Sequence, residues 1–198
     1  MNLSAMPTSI QQSPYGPALR RWVLAALQAV EPAAAVRRTL QRPGERTLQG
    51  AGRLWAVPAA GRVIVVGAGK AGAPMAQAAL AIAGDLVDSG LVVVKDGHSS
   101  GASLGPIALL EAGHPTPDER GHAAARRIAQ LVERATASDV VLVLLSGGAS
   151  ALLPAPVAGI TLAELQAATA VMLRSGAPIQ AINALRKHCE TLKGGQLA

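Results

Sequence analysis

Short, continuously apolar runs alternate with longer amphipathic segments along most of the chain. Four such runs cover residues 62–66, 91–95, 107–111 and 140–145. Runs that are apolar throughout, rather than at every second position, are typical of parallel strands that are buried on both faces. The pattern therefore predicts an α/β fold, in which a mostly parallel sheet has helices on both sides.

The amphipathic segments predict helices before and between these runs. The predicted helices cover residues 17–30, 32–42, 71–83, 116–135, 161–174 and 178–191. Thr116 with Glu119, and Thr161 with Glu164, have the spacing of a capping box, in which two side chains satisfy free backbone N–H groups at the start of a helix. Each of these two helices therefore has a defined predicted beginning.

Two stretches show neither pattern. Residues 1–15 are polar and contain Pro, Ser and Gln, so we expect a mobile lead-in. Residues 43–60 are rich in Gly, Arg and Pro and are predicted to be a loop. One domain would then occupy residues 16–198.

Composition narrows the classes of function. Hydrophobic residues make up 50% of the chain but aromatic residues only 2%, so Ala, Val, Leu and Ile must fill the core. The formal net charge is +6, but the basic residues form scattered pairs that fit solvated helix faces, and few rings are present to stack on bases. We therefore expect no nucleic-acid partner. The single cysteine, Cys189, and the lack of a membrane-length apolar stretch predict a protein of the reducing cytoplasm with no membrane partner.

A glycine-rich loop follows the first apolar run. Gly67, Gly69 and Gly72 fit the G-x-G-x-x-G pattern between a strand and a helix, where free backbone N–H groups at the helix start can bind an anion. Lys70 adds a positive charge inside the loop, which favours phosphate or carboxylate binding. Two alternatives stay open: a dinucleotide site, with Asp96 as the ribose-binding acid, and a turn that only lets helix and sheet pack closely.

A second loop follows the last apolar run. Ser146, Gly147, Gly148, Ala149 and Ser150 offer consecutive backbone N–H groups and two hydroxyls, which can form a nest for phosphate or carboxylate oxygens. The segment lacks the G-x-S-x-G pattern of a nucleophile elbow. Both loops follow the carboxyl ends of predicted strands, where parallel sheets bind ligands. The alternative is a flexible turn.

Other polar side chains are weaker candidates. His114 follows the third run, where either a binding residue or a turn histidine bonded to the backbone is expected. Asn183, Arg186 and Lys187 fall at helical offsets that can place the amide beside either cation, although such a stripe is usually a solvated face. Lys193 lies just beyond that helix. The histidines lack metal-ligand spacing, so we predict no metal site from side chains.

The same residues carry a resemblance to a known family. The matching segments are VVGAGKAGAPMAQAA, EAGHPTPDERGHAAA, LLSGGASALLPAPVAGITLAEL and INALRKHCETLKGGQLA. In order and spacing they resemble the type II glycerate kinases, some of which are labelled hydroxypyruvate reductases. The resemblance implies a Rossmann-like three-layer N-terminal domain, a smaller second α/β domain that this chain would lack, and a site between the two.

The resemblance also implies roles for individual residues. Lys70 matches the family's lysine implicated in catalysis, and Ser146 begins its glycine-rich loop for substrate or phosphate. The closing N-x-x-R-K-H…K-G-G motif is matched by Asn183, Arg186, Lys187 and Lys193. Because the family's chains continue beyond that motif, residues 16–198 would be an N-terminal domain that is incomplete at its C-terminal end.

Three positions depart from the family's pattern. Ala149 stands where a third glycine is common, which narrows the backbone conformations open to that loop. Glu190 replaces a usual serine and Gln196 a usual arginine, which puts anion contacts near the end of the chain in doubt. None of these three departures lies at Lys70.

The activity that the resemblance implies is ATP-dependent phosphorylation of D-glycerate at its 2-hydroxyl to give 2-phosphoglycerate. Mg²⁺ would arrive with the nucleotide, held mostly by phosphate oxygens and water, and the missing C-terminal half would be needed for activity. D-Glycerate is the expected partner, and a homodimer stays open. The alternatives are an NAD(P)H-dependent hydroxypyruvate reductase and a phosphate-ligand-binding domain without catalysis.

Overall fold

A computed structural model describes residues 7–99 and 101–197 of the chain. Its helices are α1 (Thr8–Gln11), α2 (Gly16–Ala29), α3 (Pro32–Thr39), α4 (Gly72–Ala83), α5 (Glu119–Glu133), α6 (Ala149–Leu152), α7 (Leu162–Arg174) and α8 (Ile179–Cys189). Its strands are β1 (Leu40–Gly44), β2 (Thr47–Gly50), β3 (Arg53–Ala56), β4 (Val63–Ala68), β5 (Val87–Lys95), β6 (Ser103–Leu104), β7 (Ile107–Ala112) and β8 (Val140–Leu145). Residues 1–6 of the predicted lead-in lie outside the described residues, and α1 occupies part of the rest.

The main sheet has five strands in the order β6-β7-β5-β4-β8. All neighbours run parallel except β6, which is antiparallel to β7. From β4 the chain proceeds to β5 and β7 on one side, then crosses back to β8 on the other side of β4. The order therefore reverses between β4 and β8, and an open α/β sheet binds its ligands at the carboxyl ends of the two strands that flank such a reversal.

Helices cover both faces of this sheet. Side chains of α4 pack with alternate residues of β4 and β5 on one face, and side chains of α5 and α6 pack with the intervening residues on the other. Small residues allow close approach: a Cβ atom at Gly72 would lie 2.7 Å from Cγ1 of Val92. The predicted α/β architecture with a mostly parallel sheet is thus confirmed.

The amino ends of β4 and β8 are tied together by an ion pair. The Asp139 carboxylate, whose side chain is 1% exposed, accepts hydrogen bonds from the backbone N–H of Arg62 at 2.9 Å and from Nη2 of Arg62 at 3.0 Å. Thr136 donates to the same carboxylate through its backbone N–H and its hydroxyl. These donors hold the pKa of Asp139 far below its ordinary value, with the Arg62 hydrogen bonds as the largest cause.

The predicted loop at residues 43–60 is wrong. β1, β2 and β3 form a separate antiparallel sheet there, and the preceding helix ends at Thr39 rather than at residue 42. Tertiary contacts hold these short strands: Leu48 is fully buried, and Arg46 donates from Nε to the carbonyl of Val57 at 3.0 Å. Strands of four or five residues that contain Pro and Gly give little periodic signal on their own.

The predicted cap of α5 is also wrong. Asp118, not Thr116, is the N-cap, and its Oδ1 accepts from the backbone N–H of Gly121 at 2.9 Å. Its Oδ2 accepts from the backbone N–H of Gly113 at 3.0 Å, so this one carboxylate also fixes the turn before the helix. Asp118 is the N-cap because its carboxylate bonds both the helix start and the preceding turn, which the local pattern of Thr116 with Glu119 does not show.

The other boundaries stand close to their predictions. β8 has the predicted limits, α7 begins one residue later than predicted, at Leu162, and the capping box of Thr161 with Glu164 is confirmed. β5 begins four residues early, at Val87, and the short helix α6 was not predicted. Among the described residues, no helix is long and apolar enough to cross a membrane.

Candidate functional site

The loops after β4 and β8 are joined into one surface. The backbone N–H of Lys70 donates to the carbonyl of Gly147 at 2.9 Å, and the backbone N–H of Ala71 donates to Oγ of Ser146 at 3.1 Å. Gly69 makes room for this contact, because a Cβ atom there would lie 2.0 Å from the Ser146 Oγ. The two predicted loops therefore meet where the strand order reverses.

The glycine-rich loop contributes a cation rather than free amides. The backbone N–H groups of Gly69, Lys70, Ala71 and Gly72 all donate to protein acceptors, at distances from 2.9 to 3.1 Å. Close packing accounts for the glycines, since a Cβ atom at Gly67 would lie 2.3 Å from a carbonyl oxygen of the neighbouring strand. Ligand binding by Gly67, Gly69 and Gly72 stays a prediction, and the exposed Lys70 side chain is the group that this loop offers.

The Ser146 loop has the free backbone donors. In the part of the chain that the structure describes, the N–H groups of Gly147, Gly148 and Ser150 donate to no other protein group. Gly148 has a φ of 96°, a left-handed conformation that turns neighbouring amides towards one point. This geometry is suitable for binding an oxyanion.

Lys70 and His114 converge on this nest. A Cβ atom at Gly148 would lie 3.1 Å from Nε2 of His114 and 3.5 Å from Cε of Lys70. The structure thus brings together three predicted site residues that lie far apart in sequence. Only glycine leaves both side chains in place above the nest.

The charge around the nest is positive. Within residues 7–99 and 101–197, neither Lys70 nor Lys95 forms an ion pair. Burial of the ring lowers the pKa of His114, and the charges of Lys70 and Lys95 lower it further. A neutral imidazole beside two ammonium groups fits an anionic ligand, which would offset their repulsion.

Lys95 and His98 were not among the predicted site residues. Lys95 ends β5, and Nδ1 of His98 lies 3.1 Å from the carbonyl oxygen of Lys70. The rule that ligand-binding residues follow the carboxyl ends of parallel strands would have selected Lys95. The contact of His98 depends on a loop conformation for which the sequence gives no signal.

The lowered pKa of His114 predicts tighter anion binding in acid. The free protein holds the pKa of His114 below its ordinary value of 6.5, and a bound anion would stabilise the charged ring and so raise that pKa again. Between pH 7.5 and 5.5 we expect the affinity for sulfate, whose charge stays constant, to rise by up to about tenfold, which corresponds to one pKa unit. Calorimetric titration of the chain with sulfate would measure the increase.

Two variants control this experiment. His114→Asn should remove most of the pH dependence, whereas His122→Asn should keep it, because the His122 ring lies against the Pro154 carbonyl at 3.1 Å instead. An unchanged pH dependence in His114→Asn would show that another group controls binding.

The remaining predicted residues line a neighbouring cavity of about 530 Å³. Asn183, Arg186 and Lys187 of α8 form one wall, and Ser150 connects this cavity to the nest. The predicted residues therefore form two groups, one at the nest and one around the cavity. Among the described residues, no group of three His, Cys, Asp or Glu side chains is placed to hold a metal ion.

The Lys193 ammonium group forms hydrogen bonds with other protein groups. Its Nζ donates to Oε2 of Glu190 at 2.5 Å and to the carbonyl of Leu153 at 3.0 Å. Burial lowers the pKa of Lys193, and the Glu190 carboxylate acts in the opposite direction. Nε2 of Gln196 donates to three nearby backbone carbonyls. The two departures from the family's pattern thus hold the chain end together, and ligand binding by Lys193 stays a prediction.

Comparison with known proteins adds sequence and structural relatives. Residues 18–198 match a family model described as a domain of unknown function, DUF4147. The chain is 45% identical over 137 residues to a D-glycerate 2-kinase of Thermotoga maritima, which covers 69% of this chain and 33% of that protein. It is 45% identical over 138 residues to an Agrobacterium vitis protein named as a hydroxypyruvate reductase, which covers 70% of this chain and 35% of the relative.

The fold has a solved counterpart. A crystal structure of a Pyrococcus horikoshii protein superposes with a TM-score of 0.79 at 37% identity, covering 89% of this chain and 39% of that one. The chain spans about a third of the length of the curated relatives that it matches.

Proposed function

Because this chain belongs to the DUF4147 family, the N-terminal region of type II glycerate kinases, we propose that it builds part of a D-glycerate 2-kinase site. The reaction would transfer the γ-phosphoryl group of ATP to the 2-hydroxyl of D-glycerate and give 2-phosphoglycerate. One observation carries the proposal: Lys70, His114 and the free amides of the Ser146 loop converge where the sheet reverses its strand order.

The chemistry requires charge neutralisation and positioning more than covalent help from the protein. The bond between the γ-phosphorus and the bridging oxygen breaks, a bond to the 2-oxygen forms, and the hydroxyl proton leaves. Lys70 would stabilise the charge on the transferring group, while the amides of Gly147 and Gly148 would hold phosphate or carboxylate oxygens. His114, with its lowered pKa, is neutral near pH 7 and could accept the hydroxyl proton.

Two anionic reactants need two positive regions, and the described residues around the site provide two. The first is the nest with Lys70 and Lys95, and the second is the cavity wall that carries Arg186 and Lys187. Mg²⁺ would be held by nucleotide phosphates and water, as it usually is in kinases. We further propose that turnover takes place in the cytoplasm and needs the polypeptide by which the relatives exceed this chain.

A hydroxypyruvate reductase is the competing function, because a relative carries that name. It would place NAD(P)H on the glycine-rich loop, where a dinucleotide needs free backbone N–H groups for its pyrophosphate. Those of Gly69, Lys70, Ala71 and Gly72 are occupied, which favours the kinase.

Calorimetric titration of the chain with Mg-ATP, and separately with NADH, tests the proposal. We expect Mg-ATP to bind preferentially. Lys70→Ala should raise its dissociation constant about tenfold, the effect of one charge-assisted hydrogen bond. Preferential NADH binding would indicate the reductase, and binding of neither would mean that further polypeptide is needed to build the site. Formation of 2-phosphoglycerate by the chain alone would exclude a binding domain without catalysis.

A further inference from the structure

The loop after β5 is held in place from two sides. Oε1 of Glu111, at the end of β7, accepts hydrogen bonds from the backbone N–H groups of Gly97 at 3.2 Å and Ser99 at 3.3 Å. The Ser99 hydroxyl donates to the same oxygen at 2.8 Å. Arg120 donates through both of its Nη atoms to the Asp96 carboxylate, at 2.7 and 2.8 Å. The one residue between Gly97 and Ser99 is therefore fixed by contacts on both sides of it.

That residue is His98, whose ring lies against the glycine-rich loop. Its Nδ1 is 3.1 Å from the carbonyl oxygen of Lys70, and its backbone N–H donates to the carbonyl of Lys95 at 2.9 Å. A carbonyl oxygen only accepts, so Nδ1 carries the hydrogen and Nε2 of the neutral ring has a free lone pair. Among residues 7–99 and 101–197, no protein group bonds to this Nε2, and the residue is exposed.

The main chain of Lys70 joins His98 to the nest. The N–H of Lys70 donates to the carbonyl of Gly147 at 2.9 Å, while the carbonyl of the same residue accepts from His98. Burial is the largest cause that lowers the pKa of His114, and the charge of His98 contributes to the same effect. Since the His114 ring lies above Gly148, the two imidazoles and the Lys70 ammonium group border one site.

We propose that Nε2 of His98 accepts a hydrogen bond from the 3-hydroxyl of D-glycerate and selects for this substrate. This inference rests on the proposed function. A lone pair repels an oxyanion and requires a donor. The ionised carboxylate of glycerate is only an acceptor, and its 2-hydroxyl is the reacting group assigned to His114, so the 3-hydroxyl is the remaining donor.

The nucleotide is the less suitable partner of this lone pair. Its nearest hydroxyl donors are on the ribose, which the α- and β-phosphates separate from the γ-phosphoryl group placed at Lys70. The hydroxyls of glycerate are on neighbouring carbon atoms, so a group beside Lys70 can contact one while the other reacts. His98 would therefore distinguish glycerate from 2-hydroxy acids that lack a second hydroxyl.

Nuclear magnetic resonance of the ¹⁵N-labelled chain tests this inference. At about pH 8 the nitrogen shifts should show the Nδ1–H tautomer of His98. D-Glycerate should shift Nε2 and the amides of Gly147 and Gly148. D-Lactate, which has hydrogen in place of the 3-hydroxyl, should shift only the amides. The amide titrations should give a Kd at least about tenfold lower for D-glycerate than for D-lactate, the effect of one hydrogen bond.

His98→Asn separates a role in binding from a role in holding the loop. Asparagine keeps an N–H donor near the place of Nδ1 but has no atom at the place of Nε2. We expect the preference for D-glycerate to fall below about twofold, with the affinity for D-lactate unchanged. His122→Asn is the matched control, because the His122 ring makes the same kind of contact with the Pro154 carbonyl at 3.1 Å, and it should keep the preference.

Each other outcome overturns the inference. An Nε2–H tautomer, a preference that persists in His98→Asn, or no saturable shift of the nest amides by either acid would each contradict it. A shift of Nε2 by Mg-ATP but not by D-glycerate would assign the lone pair to the nucleotide. Selective binding of D-glycerate without phosphate transfer would refute the kinase and keep the role of His98, whereas phosphate transfer with equal affinity for the two acids would do the reverse.

Discussion

Replacing Lys70 by alanine should lower kcat for glycerate phosphorylation about 10²- to 10³-fold, the usual effect of removing one preorganised group that stabilises transition-state charge. The protein for this test is a chimera that joins this chain to the C-terminal part of the Thermotoga maritima relative. The exposed ammonium group forms no ion pair among the described residues, so the fold should be unaffected. A coupled assay for 2-phosphoglycerate would measure turnover, and circular dichroism would check the fold.

Two further variants separate a specific role of Lys70 from general loss of positive charge. Lys95→Ala removes an equal charge from the same region but leaves the group above Gly148 in place, so its kcat should fall less than about tenfold. Lys70→Arg keeps the charge but changes its shape and should restore only part of the rate. Near-normal turnover in Lys70→Ala would show that its assigned role is wrong.

Gly69→Ala should destabilise the chain by about 3 to 4 kcal/mol, which sums the cost of a strained backbone and of overpacking. Gly69 has a φ of 136°, and its new methyl group would lie 2.0 Å from Oγ and 2.7 Å from the carbonyl oxygen of Ser146. The second of these contacts is with backbone and cannot be relieved by a rotamer change. Urea denaturation followed by circular dichroism would measure the loss.

Gly147→Ala is the matched control for this experiment. Gly147 lies in the partner loop, and a methyl group there would contact nothing within 4 Å. We expect a change of less than about 0.5 kcal/mol, typical of surface positions. If Gly69→Ala were as stable as Gly147→Ala, the joined arrangement of the two loops would be incorrect.

The apolar runs made the main sheet predictable. β8 was predicted with its observed limits, because six successive apolar residues lie between polar segments. The burial on both faces that such a run predicts is wrong for β8, in which only Leu144 is buried. The antiparallel sheet at residues 40–56 was missed, because its strands depend on Leu48 reaching the core and on the contacts of Arg46. Such contacts join distant parts of the chain and leave no periodic pattern.

Individual site residues could be predicted from the sequence, but the contacts between them could not. Lys70 and the Ser146 loop were selected from their positions after strands. That Ala71 donates to Ser146, 75 residues away, could not be predicted from a glycine pattern, yet it decides which loop has free amides. Likewise, the pairing of Lys193 with Glu190 was not predicted, because a family motif does not show which partner a buried ammonium group takes.

The ion pair between Arg62 and Asp139 makes the two ends of the sheet change their charge in different pH ranges. A depressed carboxylate pKa contributes stability that is present above the ordinary value of 3.8 and is lost only as the pH falls through the folded value. At the opposite end, burial and the charges of Lys70 and Lys95 hold the pKa of His114 below its ordinary value of 6.5, so this ring gains charge only as the pH falls below that value. Mild acidification should thus alter the electrostatics of the ligand end while the ion pair between the amino ends of β4 and β8 remains intact, so binding can be titrated without breaking this ion pair.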